Sequence, residues 1–392
     1  MLISGDAFIG RSVLSSIASA VFTRAGTGSV GVSRQLRASS VAATAVLEEG
    51  TTQTSCLRVS ACQLAHRPER RQLPAQMTSA GAEPRLLKLA RGGCLSYCIY
   101  GSPERSLPIF WLHGIMSSRF EALAAQPKTL ETLDAFIVAL DRPGYGHSTP
   151  QQGFTYDTFV QDILHLADHL AIGQFHVVGV SGGGPYALAC TARIPHRIRG
   201  VLLISSAGYP GWLTPAERRE AAAEVRGSWL SRAIRKAAFT PAVITALCRI
   251  SQTFLGGRLL FEMLVKPLTK RSLQAMAEVD RQCLLQGHPE YLQLVRPESL
   301  RQRTAVGLLQ DLRLFCCPWA FSPGSIPPAL QQRIQIWHGT NDLQVPVQYA
   351  HALKRLMPEA QLRIAENGGH FSYFVCDSAH QQQALKALAE AK

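Results

Sequence analysis

Residues 175–195 read FHVVGVSGGGPYALACTARIP and join two elements through a tight turn. The apolar run Phe175–Val178 predicts a buried strand, and the residues up to Ile194 predict a helix. Between them, GVSGG at 179–183 has the form G-x-S-x-G. In a strand–turn–helix, this pattern lifts a strained serine above the sheet, with small neighbours that let strand and helix approach. Ser181 is therefore a candidate nucleophile, although a glycine-rich turn that cradles phosphate has the same five-residue pattern.

Strand patterns alternate with helix patterns on both sides of this turn, which predicts a mostly parallel sheet with helices on both faces. Ligands of such sheets collect at the carboxyl ends of the strands. The predicted strands are Leu95–Tyr100, Leu107–Leu112, Phe136–Leu140, Phe175–Gly179, Val201–Ser205, Ile334–Trp337 and Leu362–Ala365. The clearest predicted helices are Tyr156–Leu170, Gly182–Ile194, Val347–Leu356 and Ser378–Ala389.

The strand pattern stops after Pro210 and returns at Ile334. The intervening residues have helical patterns nearly throughout, broken by prolines and by the Gly256-Gly257 pair. An insertion that interrupts an α/β sheet in this way predicts a helical lid. We therefore expect a core formed by residues 85–209 and 330–392, and a lid formed by residues 210–329.

A serine hydroxyl needs a base to accept its proton, and the base needs an acid to orient it. Asp342 follows the predicted strand Ile334–Trp337, and His370 follows the predicted strand Leu362–Ala365 on a glycine-rich loop. Taken alone, each could be an ordinary turn or loop residue. The order Ser181, Asp342, His370, each just past its own strand, instead predicts a Ser-Asp-His triad.

Ester cleavage also needs donors for the negative charge that develops on the carbonyl oxygen. One predicted donor is the backbone N–H of Gly182, directly after the serine. The second is the backbone N–H of Ile115, in the loop that follows the strand Leu107–Leu112, where Gly114 permits close approach.

Other titratable clusters have simpler interpretations. His165, Asp168 and His169 share a predicted helix face, but the set of well-placed ligands that a metal site needs is incomplete. We therefore interpret these residues as a solvated face, and we predict no metal site and no cofactor. Asp141 follows the third strand and predicts a structural turn. The ten cysteines form no C-x-x-C, which favours reduced thiols.

These landmarks together resemble a lidded α/β-hydrolase. The matching residues are His113-Gly114, Asp141-Arg142-Pro143-Gly144-Tyr145-Gly146, the turn at Ser181, Gly339-Thr340-Asn341-Asp342 and Gly369-His370. The resemblance implies a carboxylic-ester hydrolase with an acyl-serine intermediate, although the family also contains thioesterases, carbon–carbon hydrolases and a few receptors. One departure is Met116, which occupies a position where the family often has proline, and it bears on the second oxyanion donor.

Residues 1–84 differ from the rest of the chain. Up to Leu47 the only acidic residue is Asp6, against four arginines, and serine and alanine recur. This bias resembles a transit peptide and predicts import into a plastid or mitochondrion. The alternatives are an untargeted disordered tail with a cytoplasmic location, or sequence upstream of the true start, since Met77 lies just before the globular region.

The net charge of +13 is high, but the sequence has neither zinc-finger spacing nor a basic block interleaved with aromatics, so we predict no nucleic-acid partner. No apolar run is long enough to predict a transmembrane helix. Residues 210–329 contain sixteen Lys and Arg against nine Asp and Glu, mixed with aromatic residues. This pattern fits an apolar acyl pocket under a basic outer face, suited to a lipophilic or anionic ester. It also fits a helical stripe that packs on the core under solvated charges, or weak docking of Ser231–Phe254 on an anionic membrane.

The sequence therefore predicts a serine hydrolase that needs no cofactor and cleaves a small-to-medium, lipophilic carboxylic ester or thioester. A ligand-binding or signalling protein with slow or no turnover is the alternative from another class, and acyl transfer or carbon–carbon cleavage are alternative reactions. The sequence does not specify the oligomeric state.

Overall fold

A computed structural model describes residues 83–224, 241–267 and 273–391. The predicted N-terminal extension lies outside the described residues except for its last two positions, and so does the Ser231–Thr240 part of the predicted membrane-docking segment.

The described residues form one eight-stranded sheet in the order β1-β2-β4-β3-β5-β6-β7-β8. The pairs β1/β2 and β2/β4 are antiparallel, and every other pair, from β4/β3 to β7/β8, is parallel. The strands are β1 (Arg85–Lys88), β2 (Cys94–Tyr100), β3 (Leu107–Leu112), β4 (Ala135–Leu140), β5 (Phe175–Val180), β6 (Ile198–Ile204), β7 (Ile334–Gly339) and β8 (Gln361–Ala365).

The central strands are apolar runs because helices cover both faces of the sheet. Every residue of β4, β5 and β7 is buried, as expected for parallel strands whose two faces both pack against helices. Two separate apolar clusters result, one on each face, with Phe110 and Val177 in the first and Trp111 and Val178 in the second.

The α-helices of the described residues lie between these strands and in the segment between β6 and β7. They are α1 (Pro127–Thr132), α2 (Tyr156–His169), α3 (Gly184–Arg193), α4 (Pro215–Glu224), α5 (Pro241–Ser251), α6 (Phe254–Leu260), α7 (Glu278–Gln282), α8 (Pro289–Ser299), α9 (Val306–Cys316), α10 (Pro328–Gln331), α11 (Gln348–Leu356) and α12 (Ser378–Ala389). Thr155 illustrates a local cause: its hydroxyl accepts a hydrogen bond from the N–H of Thr158 and so begins α2.

All seven strands expected from the sequence are present, with boundaries shifted by up to three residues. Edge strand β1 was not predicted, because only Leu87 of its four residues is buried and no alternating pattern develops. The region predicted as a lid contributes helices α4 to α10 and no strand among its described residues. Its role as a lid stays a prediction.

The expectation of reduced thiols is wrong for one pair, because Cys283 and Cys376 form a disulfide. These cysteines are 93 residues apart in the chain, and such a pairing cannot be deduced from cysteine spacing. The bond joins the segment after α7 to the segment after β8. Six other cysteines of the described residues are free.

Candidate active site

Ser181 lies directly after β5, in the turn that leads into α3. Its φ is +51°, a left-handed conformation that costs energy for a residue with a side chain. A Cβ added at Gly179 would lie 2.8 Å from the Cα of Gly184, so the strand and the helix need glycine there in order to approach. Ser181 itself is 7% exposed. The turn thus has the strained geometry that the G-x-S-x-G pattern predicted.

Asp342 and His370 are in direct contact. The Nδ1 of His370 lies 2.7 Å from Oδ2 of Asp342, and both side chains are buried. The other carboxylate oxygen of Asp342 accepts the N–H groups of Gln344 and Val345, each at 2.9 Å. These bonds fix the carboxylate, which in turn fixes the orientation of the His370 ring.

The charges of this pair stabilise each other. Burial alone would raise the pKa of Asp342, but the His370 ring and a hydrogen bond from His338 lower it well below its usual range. Burial alone would lower the pKa of His370, but the Asp342 carboxylate outweighs burial and raises it above its usual value. His370 is therefore held as a base that takes up a proton readily.

The three predicted triad residues lie at one edge of the sheet. Ser181, Asp342 and His370 follow the carboxyl ends of β5, β7 and β8, and β6 lies between β5 and β7. The hydroxyl of Ser205, just past β6, donates to the carbonyl oxygen of His370 at 3.2 Å and so links the histidine loop to the middle of this edge.

The loop after β3 lies against the serine turn. A Cβ added at Gly182 would lie 3.1 Å from the backbone nitrogen of Ile115, and one added at Gly114 would lie 3.3 Å from Cβ of Ser181. The backbones of Gly182 and Ile115, which carry the predicted oxyanion donors, thus lie close together beside Ser181. Met116 has a φ of +53°, a conformation that proline, whose φ is fixed near −65°, cannot adopt.

The direction of the Ile115 N–H is set from the other side of its peptide bond. The carbonyl oxygen of Gly114 accepts a hydrogen bond from Nη2 of Arg142 at 3.1 Å, and Nδ1 of His113 lies 2.7 Å from it. In a trans peptide, the C=O of residue 114 and the N–H of residue 115 point in opposite directions. Arg142, which the sequence identified only as part of the motif at 141–146, therefore orients one candidate oxyanion donor.

Glu121 was not predicted as a site residue, yet it holds the same loop. Its carboxylate is buried and accepts the N–H of Gly114 at 3.0 and 3.2 Å and the indole N–H of Trp111 at 3.3 Å. Burial raises the pKa of this carboxyl. Seven residues separate Glu121 from Gly114, and no motif indicates the contact.

Apolar side chains from the segment 210–329 cover the serine turn. The ring of Phe315 in α9 would lie 3.0 Å from a Cβ at Gly182. Ile115 and Met116 pack against an apolar cluster that includes Ile244 of α5 and Leu309 of α9. The site thus lies between polar loops of the sheet edge and an apolar surface of the inserted helices.

Three buried carboxylates of the same inserted segment contact the loops of the core. Asp280 accepts the backbone N–H groups of residues 370–372. Glu298 pairs with Arg119 at 2.6 Å, and Asp311 pairs with Arg142 at 2.6 Å. The sequence predicted none of these contacts.

Two further interpretations from the sequence, those of Asp141 and Asp168, can be compared with the structure. Asp141 is completely buried and accepts hydrogen bonds from Ser96, from Arg119 and from the N–H of His147, which agrees with a structural role. Asp168 pairs with Arg197 at the surface. Within the ranges described, no cluster of three or more potential ligands could hold a metal ion. The helices described there are all too short or too polar to cross a membrane.

The family model described as the alpha/beta hydrolase fold matches residues 108–376, and the chain belongs to this family. An uncharacterized hydrolase of Bacillus subtilis is 23% identical over 76% of this chain and 96% of its own length. Ethanol acetyltransferase 1 of Kluyveromyces marxianus is 28% identical, but the match spans only 27% of this chain and 29% of that protein. A structure from work on carboxylesterases of Nitrososphaera gargenis has a TM-score of 0.51 at 15% identity and covers 77% of this chain and 96% of that chain, which supports the fold alone. The predicted fold class is thereby confirmed, and the protein is a hydrolase of this family.

Proposed function

We propose that the protein is a serine hydrolase that cleaves carboxylic esters or thioesters through an acyl-serine intermediate. The observation that carries this proposal is the buried hydrogen bond between Asp342 and His370 at the sheet edge that presents Ser181. Nucleophilic acyl chemistry requires a serine and a base that a carboxylate orients, and this sheet edge carries residues of all three kinds.

In the proposed reaction, Oγ of Ser181 attacks the carbonyl carbon while His370 accepts the hydroxyl proton. The negative charge that develops on the carbonyl oxygen is stabilised by the N–H groups of Gly182 and Ile115. Collapse of the tetrahedral intermediate breaks the ester bond, and His370 returns the proton to the departing alcohol. A water molecule then attacks the acyl-serine, with His370 again acting as base.

The apolar cover over Gly182 and Ile115 favours a lipophilic acyl group. The described side chains on this side of the site, Phe315 and the cluster around Leu309, are apolar. An acyl chain placed against these side chains would be removed from water, which favours binding by about 0.8 kcal/mol for each buried CH₂ group.

Acyl transfer to an alcohol is a second candidate reaction, favoured by the partial match to an ethanol acetyltransferase. It uses the same acyl-serine and differs only in the nucleophile that clears it. Carbon–carbon cleavage, and a binding or signalling role without turnover, are the further alternatives.

The test is labelling of the full chain with a fluorophosphonate, followed by mass spectrometry to locate the modified residue. We expect modification of Ser181 that is lost in Ser181→Ala and slowed by about 10⁴-fold or more in His370→Ala, because the hydroxyl then lacks its base. Hydrolysis and acyl transfer are separated by the products formed with and without added ethanol. A folded protein that is never labelled would contradict the proposal and favour a binding role.

We also propose weak contact of the segment 210–329 with anionic membranes. Four large apolar side chains are exposed along α6 and the turn after it: Phe254, Leu255, Leu259 and Met263. Between Val225 and Phe261 the sequence contains six basic residues and no acidic residue. An exposed apolar face within a basic segment suits a surface of anionic lipid.

Import into a plastid or mitochondrion stays a proposal that rests on the composition of residues 1–84 alone. Fusion of residues 1–84 to a fluorescent protein tests it. A diffuse cytoplasmic signal would contradict it.

A further inference from the structure

We propose that Asp280, in the segment inserted between β6 and β7, is a positioning residue that holds the His370 loop in its working conformation. This inference rests on the serine-hydrolase function proposed above and extends the site beyond the Ser-Asp-His residues. Asp280 touches no reacting atom, so its action is through the backbone of the loop that carries the base.

The carboxylate of Asp280 accepts three consecutive backbone N–H groups. Its Oδ2 accepts the N–H of His370 at 2.7 Å, and its Oδ1 accepts those of Phe371 at 2.9 Å and Ser372 at 3.0 Å. These N–H groups lie at the start of a short helical turn, Ser372–Cys376, where no carbonyl of the same turn can pair with them. Asp280 therefore supplies the acceptor that the loop itself lacks.

The surroundings of Asp280 make these bonds obligatory. The side chain is completely buried, and the three N–H groups described above donate to both of its carboxylate oxygens. A buried carboxylate is costly unless hydrogen bonds compensate for lost water, and here the three N–H donors do so. The carboxylate and the loop thus each need the other, and displacement of either leaves buried polar groups unsatisfied.

Gly369 is matched to this contact. A Cβ added at this position would overlap the carboxylate of Asp280. The residue before the candidate base is therefore a glycine because the carboxylate of another segment occupies the space. The contact therefore explains the second glycine of the Gly-Gly-His sequence in this loop.

A covalent bond joins the same two segments. Cys283 lies three residues after Asp280, and it is bonded to Cys376 at the end of the turn that Asp280 caps. Two independent ties therefore hold residues 280–283 against residues 370–376. The inserted segment is fixed to the core at this point and is a structural part of the site.

Asp280 also acts on the charge of the base. Three carboxylates raise the pKa of His370: Asp342 by direct contact, and Asp280 and Glu121 through the electrostatic field at longer range. Loss of the Asp280 charge is therefore expected to lower that pKa, an effect that a purely structural contact would not produce.

The experiment compares Asp280→Asn and Asp280→Glu with Glu298→Gln in the full chain. Glu298 is the matched control, because it is also a buried carboxylate of the inserted segment but pairs with Arg119 instead of the histidine loop. The measurements are kcat and KM on a soluble ester across pH, and the rate of labelling by fluorophosphonate. Circular dichroism confirms that each variant is folded.

We expect Asp280→Asn to lower kcat by about 10- to 100-fold with little change in KM, because the base is misplaced while the substrate pocket is intact. The acid limb of its pH profile should move to lower pH. Asp280→Glu should also lower kcat, but it should leave the acid limb in place, because it keeps the negative charge. If Asp280→Asn fails to fold, Asp280→Glu alone tests the proposal. Glu298→Gln should lower stability with a far smaller effect on kcat.

Equal losses of kcat in Asp280→Asn and Glu298→Gln, with unmoved pH profiles, would overturn the proposal and leave Asp280 a simple anchor. If the wild-type protein is neither labelled nor active, the proposed function fails instead. The low-field proton resonance of the His370–Asp342 hydrogen bond then serves as the readout, and its persistence unchanged in the folded Asp280 variants would overturn the proposal.

Discussion

The inserted segment 210–329 has two parts that differ in how they meet their surroundings. Helices α7, α8 and α9 bury three carboxylates, Asp280, Glu298 and Asp311, against loops of the core. Helix α6 instead exposes Phe254 at 80% and Leu255 at 78%. We call these two parts the anchored part (α7–α9) and the outer part (α5–α6).

The difference shows that a single insertion can serve two purposes. Buried carboxylates must be paired, so the anchored part has one docked position and its residues help to shape the candidate site. Helix α6 contains no carboxylate, so this constraint does not apply to it, and its exposed apolar side chains are available to a partner. Substitutions in the two parts should therefore affect different properties.

The largest effect is expected from Asp311→Asn in the anchored part. Asp311 accepts hydrogen bonds from Arg142 and from the hydroxyls of Tyr145 and Tyr186, at 2.6 to 2.8 Å, and all four side chains are buried. Its loss leaves the Arg142 charge unpaired, which costs about 3–5 kcal/mol of unfolding free energy. Chemical denaturation measures this cost.

Activity should fall in the same variant, because Arg142 orients the peptide that carries the Ile115 N–H. Loss of one oxyanion donor lowers kcat by about 10²- to 10³-fold, and labelling rates test this. The matched control is Thr245→Ala in the outer part, whose hydroxyl donates to the carbonyl oxygen of Pro241 in its own helix. Wild-type stability in Asp311→Asn would show that the anchored part is not anchored by this pair.

An intermediate effect is expected in the dependence of kcat/KM on pH. His370 accepts a proton only when neutral, and the Asp342 carboxylate raises its pKa. Activity should therefore be lost as pH falls, with the midpoint above about 6.5, the ordinary value for histidine. Arg258→Gln in the outer part should leave the midpoint in place. A wild-type midpoint below the ordinary histidine value would contradict the assignment of the base.

The smallest effect on turnover is expected from Phe254→Ser combined with Leu255→Ser in the outer part. The rate of hydrolysis of a soluble ester should stay within about twofold of the wild-type rate, because substitutions of exposed side chains rarely disturb the folded structure. Co-sedimentation with vesicles of phosphatidylcholine and phosphatidylglycerol should fall by about tenfold or more, given about 1.5–3 kcal/mol for each large apolar side chain removed from water.

Leu285→Ser, an exposed leucine just after α7 in the anchored part, is the control for vesicle binding. It should bind vesicles as the wild type does. Unchanged binding by the double variant would remove the membrane proposal and leave the outer face as a solvated surface.

Much of the core could be predicted because its signals are local. The run Phe175–Val178 and the glycines around Ser181 specify a strand, a turn and a helix within a few residues. Asp342 and His370 could be found because each lies within five residues of the end of a strand. Their roles stay predictions, although the structure brings the two side chains into contact.

The contacts that complete the candidate site join residues far apart in the sequence. Asp280 lies 90 residues from His370, Asp311 lies 169 residues from Arg142, and Cys283 lies 93 residues from Cys376. No periodicity or motif connects such positions, and a carboxylate in a helical pattern is ordinarily a solvated residue.

The amino-acid sequence alone therefore specified the sheet, the serine turn and the residues that follow the strand ends, because each depends on neighbours a few positions away. The packing of the inserted helices against the core decides the rest. It decides which of their carboxylates are buried, which loops these carboxylates hold and which apolar side chains stay exposed. Burial turns these carboxylates from surface charges into hydrogen-bond acceptors for the His370 loop and partners for Arg119 and Arg142, because a buried charge must be compensated.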